Sequence, residues 1–385
     1  MKIKKSFKYK LRPNQKQATL FAQFAGACRW VYNRGLEQRT TAWKERGESI
    51  SLYQQNVELT SLKCAPETAW LADVHSQVLQ QALADLNSGF DHLFRRVRNG
   101  EKPGYPRFRA KGVRDSFRYP QGFKVKGDRL YAPKIGWVRF RLSRPIEGEI
   151  KQVTVLREGK GWYVAFSCEI EKEEIELSSS PSTIGIDVGL ENFAIIASES
   201  TIQEISNPRF LGRDLNHLRF LSRQLSKKRK GSQNWKRAKG RLTVFHAKVR
   251  AKRSDFLHKL STELVKNHDL IVVESLKIRS LLSKAPKSLA RAISDAGWGQ
   301  FLHYLRYKCE HNCKRLLEAG EWFPSTKKCH NCGSIKEMAL SDRRYVCPCG
   351  VDMHRDHNSA LLLRAVGTTG KKACGAAFIR GSDEV

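Results

Sequence analysis

The sequence predicts a multidomain α+β protein: an N-terminal helical bundle with a small β-barrel, then an α/β domain with a cysteine-rich insertion. A chain of 385 residues is longer than one average domain. Apolar residues recur at helical spacing before residue 100 and with a period of two between residues 117 and 170. Short, continuously apolar segments typical of buried strands follow in the second half of the chain.

The charge balance indicates a polyanionic partner. Seventy Lys and Arg residues stand against 38 Asp and Glu, which gives a formal net charge of +32. Nucleic acid is the first expectation and an anionic membrane surface the weaker one. No apolar run approaches the ~18 residues of a membrane-spanning helix, and the basic N-terminus lacks the apolar core of a signal peptide. Ten cysteines, four of them clustered, fit reduced thiols and one metal site, so we expect a cytosolic protein with no membrane partner.

The first hundred residues predict a strand followed by helices. A short basic strand, Ile3 to Leu11, precedes Pro13. Two apolar stripes with helical spacing follow: Leu20, Phe24, Ala27 and Val31, then Val78, Ala82, Leu86 and Leu93. These stripes indicate the core of a helical bundle.

A β-rich region with interleaved basic and aromatic residues comes next. The segment from Gly104 to Gly112 cannot lie inside a helix, and residues 158–161 predict a hairpin turn between two alternating strands. Basic and aromatic side chains together suit phosphate contact and base stacking, although a solvated sheet face has the same pattern. The candidate nucleic-acid contacts here are Arg107, Phe108, Arg109 and Arg118.

A strongly basic helical hairpin is predicted beyond a domain boundary at residues 169–182. Residues 211–265 have the pattern of two long helices with a break at 231–234. Fifteen Lys and Arg stand against one acid between residues 211 and 253. Such a hairpin repels itself unless a polyanion lies on it, the alternative being a simple solvated face. The candidate contacts are Lys227, Lys228, Arg229, Lys230, Lys236 and Arg237.

Three carboxylates occupy particular places in the second half. Asp187 interrupts the apolar strand 184–188, Glu274 ends the apolar strand 270–274, and Asp356 lies at the start of a helix. A structural aspartate at a turn, a solvent-facing glutamate and a helix N-cap are the respective alternatives. A buried carboxylate in a strand is costly unless it is paired or bound to a metal, and ligands bind at the carboxyl ends of strands in α/β sheets.

Together the three acids predict a phosphodiester-cleaving site. A strand-embedded Asp, a strand-end Glu and a helix-start Asp resemble the acidic pattern of RNase H-like, RuvC-type domains. Two Mg²⁺ or Mn²⁺ ions roughly 4 Å apart need such shared oxygen ligands, one activating water and the other stabilising the leaving oxygen. We therefore expect Asp187, Glu274 and Asp356 to be the catalytic, metal-binding residues.

The cysteine cluster predicts one structural Zn²⁺ in a zinc ribbon. Cys329 and Cys332 form one knuckle, and Cys347 and Cys349 form a second knuckle after fourteen residues. The second knuckle has one intervening residue instead of two, so one of its thiols could be replaced as a ligand by His330 or His354.

The order and spacing of several motifs over nearly the whole chain resemble the OrfB/TnpB family of insertion-sequence proteins, relatives of the type V CRISPR effectors. The matching segments are 8–15, Tyr105 to Phe108, Gly185 to Gly189, Arg253 to Lys259, Val273 to Leu276, Trp298 to Phe301, Cys329 to Gly350 and Arg355 to Ala360.

The resemblance implies an RNA-guided, Mg²⁺-dependent DNA endonuclease with one RuvC site. It implies two partners, a guide RNA from the transposon end and a double-stranded target DNA with a short adjacent motif, and leaves the oligomeric state open. The implied domains are the first barrel strand (1–12), the helical recognition domain (13–100), the β-barrel (101–178), the RuvC-like domain (183–320 and 353–366), the zinc ribbon (321–352) and a flexible tail (367–385).

Two other functions share these features. An RNA-guided repressor would bind without cutting, although it would be expected to lack an acid that is present here. A DDE-type transposase also uses three acids, so the acids alone do not exclude strand joining.

Overall fold

A computed structural model describes residues 2–113, 115–159, 161–172, 181–320, 323–339 and 342–369. The predicted mixed α+β, multidomain architecture is confirmed, with two compact units, Met1–Glu173 and Glu174–Val385. Most of the predicted boundary at 169–182 and most of the predicted tail lie outside the described residues. Among the described helices, none combines the length and apolar character that crossing a membrane requires.

The first unit begins with a strand and a set of helices. The elements are β1 (Lys2–Arg12), α1 (Gln15–Arg46), α2 (Leu52–Cys64), a 3₁₀ helix (Pro66–Asp73) and α3 (Ser76–Arg98). Asn14 and Gln17 form a capping box at the start of α1 because each side chain accepts a hydrogen bond from the other residue's backbone N–H. Gly47 adopts the left-handed conformation that ends the helix.

The first unit also contains an antiparallel seven-stranded sheet. Its other strands are β2 (Ser116–Tyr119), β3 (Lys124–Lys126), β4 (Arg129–Ala132), β5 (Gly136–Phe140), β6 (Glu149–Glu158) and β7 (Gly161–Glu171). The order is β2-β6-β7-β1-β5-β4-β3, so the N-terminal strand lies at the centre, between β7 and β5. No pairing joins β2 to β3 among the described residues, so closure into a barrel stays a prediction.

One continuous core joins this sheet to the helices. Phe21 and Phe24 of α1 pack against Phe117 of β2, with ring centroids 5.8 and 5.3 Å apart. Val78 and Leu79 of α3 are fully buried in the same cluster. The stripes read from the sequence therefore face the sheet as well as one another.

The second unit is built on a mixed five-stranded sheet. Its strands are β8 (Thr183–Val188), β9 (Asn192–Ala197), β10 (Ile202–Ser206), β11 (Leu270–Glu274) and β12 (Arg315–Ala319). The order is β10-β9-β8-β11-β12, in which β8, β9 and β10 are antiparallel and β8, β11 and β12 are parallel. The strands that carry Asp187 and Glu274 are therefore direct neighbours.

Helices and a small hairpin complete the second unit. The elements are α4 (Phe210–Arg213), α5 (Leu215–Ser226), α6 (Gln233–Asn267), α7 (Ile278–Lys284), α8 (Lys287–Ala296), α9 (Trp298–His311), β13 (Arg344–Val346), β14 (Asp352–His354) and α10 (Arg355–Thr369). The predicted break in the basic hairpin falls between α5 and α6, where Ser232 caps α6.

The two faces of the five-stranded sheet have different neighbours. Ile184 and Ile186 of β8 pack with residues of α6 and α9 in one large core. Ile195 and Val272 point to the opposite face and pack against α10. Side chains alternate between the faces of a strand, so Asp187 lies on the α10 face.

Candidate functional site

Asp187 and Glu274 lie side by side at the carboxyl ends of two parallel strands. Ile186 of β8 is paired in register with Val273 of β11, so the next residue of each strand is an acid. Gly185 and Val272 contact α10. Asp187 and Glu274 each lie two residues further along the same strands, so their side chains also lie on the α10 face. The parallel register therefore brings together two carboxylates that are 87 positions apart in the sequence.

A glycine allows the third acid to approach. A Cβ atom on Gly185 would overlap the backbone of α10 at Ala360 and Arg364, so only glycine permits this contact between helix and strand. Gly367 makes a second close approach, where a Cβ would lie 2.7 Å from Val272. The helix therefore packs closely against β8 and β11. Asp356 lies in its first turn, beside the strand ends.

The electrostatics indicate a cluster of like charges. Burial raises the pKa of Asp187 well above its ordinary value, and the nearby charges of Glu274 and Asp356 raise it further, while Arg355 and Ser359 act in the opposite direction. Burial also raises the pKa of Glu274, whose Oε1 accepts a 3.3 Å hydrogen bond from the Ser325 hydroxyl. The surroundings disfavour the ionised carboxylates of Asp187 and Glu274, so a bound cation would stabilise them.

Asp356 is held by the residues immediately before it. It is the second residue of α10 rather than its cap, and its backbone N–H donates to the ring of His354 over 3.3 Å. The Arg355 guanidinium lies 3.3 Å from Oδ1 of Asp356. The neighbouring Arg355 thus helps to orient the carboxylate of Asp356.

The four cysteines of the two knuckles converge. The Sγ atoms of Cys329, Cys332, Cys347 and Cys349 lie within 4.8 Å of one another. The short second knuckle reaches the cluster, and Cys349 lies 3.7 Å from Cys329. His330, one of the two proposed substitutes, bonds instead to Asn358. This four-thiol cluster could hold a metal ion such as zinc.

The environments of these thiols favour partial ionisation. Hydrogen bonds, first that from the Ser334 hydroxyl, lower the pKa of Cys332 to about 6, and the same hydroxyl lowers the pKa of Cys347. Burial raises the pKa of Cys329 to about 11. Zinc binds the thiolate form, so Cys332 and Cys347 are the part of the cluster already suited to a metal.

Asn358 connects the cysteine cluster to the helix of the third acid. Its Oδ1 accepts hydrogen bonds from the backbone N–H of His330 at 3.0 Å and from the ring Nδ1 at 2.9 Å, and its Nδ2 donates to the Lys328 carbonyl at 2.7 Å. The side chain is completely buried. The first knuckle and the first turn of α10 are therefore fixed to each other.

The candidate nucleic-acid contacts of the first unit divide into two kinds. Arg109 and Arg118 both form ion pairs with Asp85 of α3, at 3.2 and 2.6 Å, and Arg109 also stacks on Tyr32. These two arginines thus have contacts within the protein that the sequence did not reveal. Arg107 and Phe108 are exposed.

The candidate contacts of the second unit lie together at the turn of the α5–α6 hairpin. All six are exposed, and none has an acidic partner within ion-pair distance among the described residues: Lys227, Lys228, Arg229, Lys230, Lys236 and Arg237. Their charges are therefore available to an external anion.

Three residues that connect distant segments of the second unit carry no distinctive sequence signal. Ser325 supports Glu274, Asn358 supports the knuckle, and the buried Asp295 accepts from the backbone N–H groups of Leu211 and Gly212 while pairing with Arg253 at 2.7 Å. Each acts between segments distant in the chain, so only the folded structure identifies its partner.

The chain is similar to bacterial proteins over almost its full length. It is 37% identical to a protein of Streptomyces pristinaespiralis provisionally named RNA-guided DNA endonuclease, over 97% of this chain and 91% of the relative. It is 33% identical to an Escherichia coli K12 protein with the same provisional name, over 90% and 88%. A Mycobacterium tuberculosis protein, likewise named, is 28% identical over 98% and 90%.

A solved structure and three family models agree with this similarity. The Cas12f1 chain of a cryo-EM complex with guide RNA and target DNA has the same fold at a TM-score of 0.56 and 15% identity, over 91% of this chain and 83% of that one. Residues 165–285 match the OrfB model described as "Probable transposase", and residues 298–363 match the Cas12f1-like TNB domain.

The third family model covers residues 1–48 and is described as a helix-turn-helix domain. In this structure the same residues form one strand and one uninterrupted helix, so the label does not describe the observed fold. The relatives at 37% and 33% identity span nearly the whole chain, which confirms the resemblance read from the motifs. The chain belongs to the OrfB/TnpB family of insertion-sequence proteins.

Proposed function

We propose that the chain is an RNA-guided DNA endonuclease that hydrolyses phosphodiester bonds at Asp187, Glu274 and Asp356. The observation that carries this proposal is the convergence of the three carboxylates on one edge and one face of the sheet. The antiparallel and parallel strands in the order β10-β9-β8-β11-β12 support a RuvC-type, RNase H-like domain. The names of the relatives support guidance by RNA and action on DNA.

The donor set fits divalent cations with a preference for oxygen ligands. Asp187 is largely enclosed beside two other acids, and its burial and their charges together raise its pKa, so the site carries poorly stabilised negative charge. Two Mg²⁺ or Mn²⁺ ions held by Asp187, Glu274 and Asp356 would balance it. When bound, such ions activate water and stabilise the charge that develops on the phosphate and leaving oxygen.

The protein's own residues orient the acids and hold the partners. Ser325 donates to Glu274, and Arg355 fixes Asp356 while contributing positive charge beside it. The exposed basic turn of the α5–α6 hairpin would contact phosphates of the guide RNA or the target DNA. The four cysteines would hold one structural Zn²⁺, because four protein ligands leave no open position for catalysis.

Cleavage assays of the purified protein with its own RNA and a matching DNA duplex test the proposal. Glu274→Gln keeps the shape and the Ser325 contact but removes one charge, so we expect at least a hundredfold slower cutting with RNA binding unchanged, as removal of a catalytic electrostatic contact typically costs about 10²–10³. Glu263→Gln on the exposed face of α6 is the matched control, with unchanged cutting.

Other outcomes would support the alternative functions. DNA binding without cutting by the unmodified protein in Mg²⁺ or Mn²⁺ would favour an RNA-guided repressor. Strand-joined products that form without RNA would favour a DDE-type transposase. Undiminished cutting by Glu274→Gln would remove the acid cluster from the mechanism.

A further inference from the structure

A second candidate site lies in the first unit, in a cavity that the proposed nuclease chemistry does not use. The cavity measures about 890 Å³ and is bordered by α1, the end of α2, the 3₁₀ helix and the segment before β2. Its volume is in the range of ligand sites and exceeds that of a single nucleobase.

Three aromatic rings line this cavity and remain open to solvent. Trp30 and Trp70 meet edge to face with ring centroids 5.7 Å apart, and Phe108 borders the same space. Trp70 is 43% exposed and Phe108 is 63% exposed. Large aromatic faces left in water are costly unless they serve a partner, and a flat ring is the partner that uses them best.

The segment that carries Phe108 is held in place although it has no regular secondary structure. The side chain of Asn33 accepts from the backbone N–H of Arg109 at 2.7 Å and donates to its carbonyl at 3.1 Å. The Arg109 guanidinium lies 3.7 Å above the Tyr32 ring, and the Tyr105 hydroxyl is 3.1 Å from that of Thr40. The position of Phe108 is thus set before any ligand arrives, which lowers the entropy cost of binding.

The charges around the cavity favour an uncharged ring with phosphates outside. Its charged lining consists of two arginines and two glutamates, Arg29, Arg34, Glu37 and Glu67. Arg29 is paired with Asp115 at 3.4 Å and Arg34 with Glu37 at 3.5 Å, so the interior is close to neutral. Arg107 precedes Phe108 in the chain and is exposed, so it adds positive charge beside this lining residue.

We propose that this cavity binds unpaired bases of an RNA strand, which stack on Trp70 and Phe108 while the backbone passes Arg107. RNA is favoured over DNA because loops and ends of folded RNA present unstacked bases, whereas duplex DNA keeps its bases stacked. Identification of that strand with the guide RNA depends on the proposed function, but the binding of unpaired bases does not.

The test measures the affinity of the full-length protein, stripped of nucleic acid, for a ten-nucleotide oligouridine, without divalent ions or DNA. Trp70→Ala and Phe108→Ala should each weaken binding about tenfold, the scale of one stacked base. The salt dependence should keep its slope, because no phosphate contact is removed. Trp70→Phe should retain most of the affinity by keeping an aromatic face.

Trp43→Ala is the matched control, because Trp43 lies on the same helix α1, is 65% exposed and does not line the cavity. It should bind like the unmodified protein. Equal affinities for all variants would overturn the proposal. The same titrations with a ten-nucleotide oligodeoxyuridine compare RNA with DNA, and a larger loss of affinity for this DNA oligomer would also overturn the proposal by assigning the cavity to DNA. Because no cleavage is measured, an inactive nuclease site would leave these outcomes unchanged.

Discussion

At Asp187 the surroundings of a single carboxylate lower the stability of the folded chain at neutral pH. The carboxylate is enclosed by protein and faces two further acids, so the folded chain disfavours its ionised form. An elevated pKa in the folded state means that the ionised group destabilises the fold at neutral pH and that this cost disappears as pH falls through the raised value. The same charge is what a divalent cation requires as a ligand.

Asp187→Asn should therefore stabilise the metal-free protein. In EDTA at pH 7.5 we expect a Tm increase of roughly 2–4 °C, which corresponds to about 1 kcal/mol for a unit of this size. Thermal unfolding followed from neutral to mildly acidic pH should show the unmodified protein approaching the variant, because protonation removes the same charge.

Asp255→Asn is the control for this comparison, since that acid is exposed on α6 and forms an ion pair with Lys259. Its Tm should stay within about 1 °C, as for most exposed substitutions. A lower Tm for Asp187→Asn would contradict the account of a strained, like-charged cluster.

At the scale of elements, the hydrogen bonds of Asn358 join the cysteine knuckle to α10. Asn358→Ala removes three hydrogen bonds from a fully buried position, and we expect a loss of about 1–3 kcal/mol in stability. Cleavage should slow at least tenfold because the first turn of α10 carries Asp356, while metal analysis should still find one zinc per chain.

His330→Ala separates the two contributions to this connection. It removes only the ring contact and leaves the backbone N–H of residue 330 bonded to Asn358, so its effect on cleavage should be smaller. Loss of zinc in Asn358→Ala would instead show that the residue supports the metal site directly.

The α5–α6 hairpin should contribute to binding mainly through charge. Lys227→Gln together with Lys228→Gln should weaken the salt dependence of binding. The magnitude of the slope of log K against log salt should fall by up to about 2, because each phosphate contact contributes about 0.9. Lys259→Gln with Lys266→Gln is the matched pair, on a part of α6 where Asp255 and Glu263 balance the charge. Gel-shift or filter-binding titrations at several salt concentrations measure both pairs, and equal slopes would reject the hairpin as a phosphate-binding surface.

Elements that depend on local pattern could be predicted from the sequence, whereas contacts between distant segments could not. Local patterns predicted the strands of Asp187 and Glu274 and the first turn with Asp356. Each strand is an apolar run, and a single carboxylate within or at the end of such a run is easily recognised. The pairing of Arg109 and Arg118 with Asp85 joins three segments, and no spacing rule links them. The hydrogen bond from Ser325 to Glu274 joins residues 51 positions apart, and no sequence pattern predicts it either.

For the whole molecule, the net charge of +32 favours binding to a polyanion. We expect it to retain RNA through purification at low salt and to release it at high salt, because counterion release drives phosphate binding. Absorbance at 260 and 280 nm before and after a high-salt wash measures the release, and sequencing identifies the RNA. A single defined species supports guidance, whereas a random mixture would indicate binding by charge alone.

The contact at Gly185 offers a way to remove the proposed nuclease activity without substituting a carboxylate. One added methyl group there meets main-chain atoms of the last helix, which cannot rotate aside as a side chain would. The helix would have to lift, carrying its acid away from the two strand ends. A Gly185→Ala chain would keep every charged group, so under the proposed function it would serve as a binding-only variant with unaltered surface chemistry.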